Sequence, residues 1–101
     1  MAKVVMGIQV IPQADNVYDV VDRAIDVIEA SGLRYEVTPM ETVVEGELDE
    51  LLEVAKRAHR ATLEAGARSV ITHIKLAEQG QGRDVTVADI IFAVDEPLDA
   101  T

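Results

Sequence analysis

The sequence predicts an α+β sandwich, an antiparallel four-stranded sheet with two helices on one face, followed by a short C-terminal helix. Three observations predict it. Short β-branched runs alternate with two longer stretches whose apolar residues recur at helical spacing. The second and third β runs are joined only by a short connection around Pro39, which favours an antiparallel pair. The chain has 101 residues, 49% of them apolar, enough for one domain with a core of its own.

Lys3 to Ile11 (KVVMGIQVI) reads as the first strand. Its period of two puts Met6, Ile8 and Val10 on one face, and Val5, Gly7, Gln9 and Ile11 on the other. The first face is uniformly apolar and should pack on helices. Pro12 is expected to end the strand. Asn16 is a good N-cap for a helix in which Val17, Val20, Val21, Ala24, Ile25 and Ile28 share a stripe, and Gly32 closes it. Leu33 to Thr38 and Met40 to Glu45 are the second and third strands. A second helix runs from Glu47 to about Ala65, with Leu48, Leu51, Leu52, Ala55, Ala58, His59, Thr62 and Leu63 as its stripe and Gly66 as its cap. The acidic residues Glu47, Asp49, Glu50 and Glu53 favour its N-terminal dipole end.

Arg68 to Leu76 is the fourth strand. Val70, Thr72, Ile74 and Leu76 share one face, and Ile71, His73 and Lys75 the other. After a polar loop, Thr86 with Asp89 forms a weak capping box for a last helix, Val87 to about Val94, and the tail from about 95 to 101 should fray. The order is βαββαβ, the split-βαβ or ferredoxin-like arrangement. It leaves the second sheet face open, carrying Gln9, His73 and Lys75 beside Val5, Ile11 and Ile71. Such a mixed face asks for a cover, and a second copy of the chain is the expected one.

Composition excludes several functions. There is no Cys, hence no disulfide, thiolate metal site or Cys nucleophile. A net charge of -10 repels phosphate backbones and is compatible with a cationic ligand. The N-terminal apolar run is short and broken by Pro12, unlike a signal peptide or membrane span, so a cytoplasmic location is expected. The two histidines lack chelating spacing, and Gly80 and Gly82 fall short of a phosphate loop. His59 is expected to be a packing residue. The segment Met40 to Glu47 is the most unusual, a short strand carrying Glu41 and Glu45 that runs straight into a helix. Glu45 reads either as a carboxylate serving the backbone N–H groups of that helix start or as an acceptor for a ligand amine. Thr42 offers a hydroxyl, and Met40 is either core or an adaptable pocket wall. No nucleophile or metal set accompanies the two carboxylates, so no enzyme is expected.

Three pieces carry a family resemblance. They are Val10-Ile11-Pro12; then Arg34-Tyr35-Glu36-Val37 with Met40, Thr42, Glu45 and Leu48-Asp49-Glu50-Leu51; then Ala65-Gly66 with Val70, Thr72 and Ile74-Lys75-Leu76. With them the chain resembles the small thiamine-binding proteins of YkoF-like ferredoxin fold. The resemblance implies assembly into dimers or tetramers and non-catalytic binding of thiamine or its hydroxymethylpyrimidine moiety, as a carrier or sensor. It implies no cofactor. The ligand-binding residues expected on this reading are Gln9, Met40, Thr42, Glu45, His73 and Lys75, around a cleft near the sheet and oligomer interface. Tyr35 is expected in the core with Leu33 and Val37. The alternative is an oligomeric interaction or regulatory module without a small ligand.

Overall fold

The computed structural model describes residues 3–87. They form β1 (Val4–Gln13), α1 (Val17–Ala30), β2 (Arg34–Val37), β3 (Thr42–Gly46), α2 (Leu48–Glu64) and β4 (Ser69–Ala77). The strands form one sheet in the order β2-β3-β1-β4, antiparallel throughout. This is the ferredoxin-like α+β arrangement. The C-terminal helix expected from Val87, and the tail after it, lie outside the described residues apart from Val87 itself.

One face of the sheet carries the main core. Val4, Met6 and Ile8 of β1 and Val44 of β3 pack against Ala24 and Ile28 of α1 and Leu51, Val54, Ala55 and Ala58 of α2. Full burial of a side chain such as Met6 or Leu51 contributes about 1.5–3 kcal/mol. Tyr35 packs against this cluster from the side with Leu33 and Val10, whereas Val37, expected beside it, is 52% exposed at the end of β2. Both helices stop where a glycine takes a left-handed conformation, Gly32 at φ +76 and Gly66 at φ +103.

Four local expectations are corrected. Pro12 does not end β1: the strand continues to Gln13, and Pro12 pairs with Val70. The β1–β3 register stops at Ile8–Thr42, so the end of β1 has one neighbour only and tolerates a residue without an N–H. Asn16 stands at the N-cap of α1, but its side chain makes no capping hydrogen bond. The third strand begins at Thr42 rather than Met40. Thr38 holds the preceding turn: its hydroxyl donates to the Glu41 carbonyl at 2.5 Å and accepts from the Glu41 N–H at 3.1 Å. The stripe of α2 is centred on Leu51, Val54, Ala55, Ala58 and Thr62, leaving Leu48, Leu52 and Leu63 partly in solvent. His59 lies on that flank, and its Nδ1 is 2.6 Å from the Thr72 hydroxyl, which ties α2 to β4. That is the packing role expected of it.

The second sheet face is not bare. Val85 and Val87 lie over Val5 and Val43 as a small second core. The crossing segment is held by Lys3, whose N–H donates to Asp84 Oδ1 at 2.8 Å and whose carbonyl accepts the Val85 N–H at 3.0 Å. The opposite half of that face stays exposed, with Ile11 and Ile71 in solvent.

Candidate ligand-binding site

Strand register decides which candidate residues can meet. Met6 pairs with Val44 and Ile8 with Thr42, so Thr42 lies on the helix-bearing face. Val5 pairs with Glu45, which puts Glu45 on the opposite face. Two residues three apart on a strand always divide this way. Thr42 and Glu45 therefore do not share a cleft, and the six expected residues fall into three groups.

Met40 and Thr42 form the first group, with Gln9 at its edge: Gln9 lines the same cavity but has the strand parity of the open face, opposite His73. The cavity measures about 220 Å³ and lies between α1 and the β2–β3 turn. Its apolar wall comes from Ile8, Val21 and Ile25, and Thr38 and Glu41 stand at the turn. Thr42 is 7% exposed, and its hydroxyl makes no hydrogen bond among the described residues. A largely buried hydroxyl facing a cavity without a protein partner is available to a ligand. Met40 is not core: it is 76% exposed on the rim, an unbranched apolar arm able to fold over a ring. A larger hollow of about 520 Å³ lies on the helix surfaces among Glu53, Lys56, Arg57 and Arg60, and none of the six residues lines it.

Lys75 and His73 belong to the open face. His73 is exposed and pairs with Gln9 across β1–β4. Lys75 pairs with Gly7, and its Nζ is 2.7 Å from Glu41 Oε2. Glu41 therefore lies across β1 to reach β4. It does so over Gly7, where any Cβ would stand only 2.1 Å from Glu41 Oε1. Glu41 is a candidate that the sequence reading named as a carboxylate of the Met40–Glu47 segment but left out of the expected ligand-binding residues. The available signal was a glycine in mid-strand, which marks the close approach of another group.

Glu45 stands alone as the third group. It is 5% exposed, and its Oε1 accepts the Val87 N–H at 3.2 Å. Lys3 Nζ lies 3.6 Å from Oε2 and Arg34 Nη1 3.7 Å from Oε1. Its carboxylate thus serves a backbone N–H, but that of the crossing segment. At the start of α2 the capping is done by Glu50, whose Oε1 accepts the Glu47 N–H at 3.1 Å. Among the described residues no group of His, Asp or Glu is arranged to hold a metal ion, and no helix is long and apolar enough to cross a membrane.

The arrangement is suited to holding a small ring with polar substituents. Comparison with known proteins identifies the family. A family model described as thiamine-binding protein matches residues 6–95. A UPF0045 protein of Clostridium perfringens is 40% identical over 73 residues, covering 70% of this chain and 77% of the relative. A solved domain of unknown function (DUF77) from Bacillus cereus superposes with a TM-score of 0.83 at 48% identity, over 91% of this chain and 89% of that one. A Thermotoga maritima protein, described as a candidate for thiamine biosynthesis or salvage, superposes with a TM-score of 0.78 at 30% identity, over 91% of this chain and 98% of that one. With its family model spanning nearly the whole described fold, this chain belongs to the thiamine-binding protein family.

Proposed function

We propose that the protein binds thiamine or its hydroxymethylpyrimidine moiety without transforming it, as a cytoplasmic carrier or sensor. The observation that carries this reading is the cavity around Thr42, where a hydroxyl with no partner among the described residues meets apolar walls and the exposed Met40. At about 220 Å³ it is smaller than the roughly 300–1,000 Å³ of pockets that enclose whole drug-sized ligands. It therefore suits one ring, the pyrimidine. The Thr42 hydroxyl can both accept from and donate to an aminopyrimidine, and Met40 closes over its face. Glu45, His73 and Lys75 lie outside this cavity and take part only if the ligand extends onto the other sheet face.

Assembly into a dimer or tetramer belongs to the same proposal. The edge strand β4 exposes Ile71 at 61%, Ile74 at 43% and Leu76 at 47%, and Leu52 and Leu63 of α2 are also in solvent. A free edge with apolar residues on both faces favours pairing with another copy. Calorimetric titration with thiamine and with the free pyrimidine alcohol tests the binding reading. Saturable heat from the pyrimidine alcohol supports it. No heat and no thermal shift with either ligand at roughly millimolar concentration rejects it in favour of an interaction module without a small ligand.

A further inference from the structure

Glu41 lines two cavities, the one around Thr42 and a second of about 240 Å³ on the open sheet face. The second cavity is floored by Val5, Gly7, Val43 and Ala77, with Lys75 and Glu41 as its charged residues. Glu41 is the residue the two cavities share, just before the first β3 pair, Ile8–Thr42, and they lie on opposite faces of the sheet.

The carboxylate of Glu41 is held in an unusual way. Its side chain is 16% exposed, and only Oε2 is engaged, by a Lys75 that is 78% exposed. Oε1 lies over Gly7 and has no donor among the described residues. The space that a Cβ at position 7 would fill is occupied by that oxygen. The site therefore presents a half-satisfied carboxylate above an apolar floor.

We infer that this open-face cavity is a subsite for the positively charged ring of a flat organic cation, with Glu41 as its counter-ion and Lys75 as a placeholder. The Lys75 ammonium is mostly in solvent, so it leaves Glu41 readily and is rehydrated. A ring cation gains what Lys75 does not, burial of apolar ring surface against Ala77 and the Gly7 backbone, beside the already covered Val5 and Val43. The net charge of -10 favours its approach. The inference rests on the thiamine reading only for the identity of the ligand. Thiamine carries such a ring, its thiazolium. Specificity for the whole vitamin over its pyrimidine fragment then resides in Glu41.

The test is titration of the full chain with thiamine, with the pyrimidine alcohol and with an N-methylated thiazolium fragment, comparing wild type, Glu41→Gln, Lys75→Met and Gly7→Ala. Glu41→Gln is expected to weaken thiamine and the thiazolium about tenfold, and the pyrimidine alcohol by much less. Gly7→Ala displaces the carboxylate without removing it and should give the same selective loss, which keeps the test valid if Glu41→Gln fails to fold. Lys75→Met should tighten the cationic ligands. Pyrimidine binding intact with thiazolium binding indifferent to Glu41 overturns the subsite and leaves the proposed function standing. Glu41-dependent thiazolium binding without any pyrimidine binding sustains the subsite and removes the proposed function. Weaker cation binding in Lys75→Met also overturns it, because Lys75 would then be helping to hold the ligand.

Discussion

Replacing Glu45 by Gln separates a structural role from a ligand-binding one. Glu45 is 5% exposed and accepts the Val87 N–H at 3.2 Å. The amide oxygen of Gln can still accept that bond but without charge. A hydrogen bond to a charged group is worth about 1.5–3 kcal/mol and a neutral one about 0.5–1.5, so roughly 1–1.5 kcal/mol is lost there. The contacts from Lys3 and Arg34, at 3.6 and 3.7 Å, come from cations that are mostly in solvent. Together they add at most about 1 kcal/mol. A total of about 1–2 kcal/mol lowers the Tm of a domain this size by roughly 5–15 °C. Thermal denaturation measures the loss, and amide exchange should quicken at Val85 and Val87 first, where the crossing segment is tied down. Affinity for the pyrimidine alcohol should stay within about twofold, since Glu45 and Thr42 face opposite sides of the sheet. An unchanged Tm with binding abolished would refute this reasoning and put Glu45 in the ligand site.

Thr42→Val should leave stability within about 1 kcal/mol, as the hydroxyl has no partner to lose among the described residues, and weaken the pyrimidine alcohol about tenfold by calorimetry. His59→Ala breaks the 2.6 Å contact with Thr72 and should cost about 0.5–1.5 kcal/mol in urea unfolding, with affinity unaffected. Leu51→Ala opens a cavity in the main core, where Leu51 is fully buried, and should cost about 2–5 kcal/mol by the same assay. Val87→Ala should cost about 1–2 kcal/mol and speed amide exchange around Val5 and Val43, which Val87 covers.

Much of the fold was legible because a strand's period of two and a helix's period of 3.6 are written in local apolar spacing. The faces of β1 and β4 came out as the alternation required, and the short link at Pro39 identified the β2–β3 pair. What was not legible depends on partners distant in sequence. Pro12 sits inside β1 because β3 leaves early. Leu52 and Leu63 look like core on a helical wheel, but α2 turns that flank toward the edge strand, where little covers it. Met40 reads as core by type and is a rim residue because Thr38 draws it into a turn. Val87 read as the start of a helix, but nothing local shows that it and Val85 dock on Val5 and Val43. The division between Thr42 and Glu45 was present in their spacing of three. Glu41 was hidden because its role appears only when β1 brings Gly7 beneath it and β4 brings Lys75 beside it.

The central claim is that a thiamine-type ring is held in the cavity around Thr42. The most direct measurement is NMR titration with the pyrimidine alcohol, following the Met40 methyl and the Thr42 and Gln9 amides against Glu45 as an internal control. The account predicts saturable shifts at Met40, Thr42 and Gln9, lost in Thr42→Val, with the Glu45 amide still. Saturable shifts centred on Glu45, Lys3 and Arg34 with Thr42 silent would contradict it.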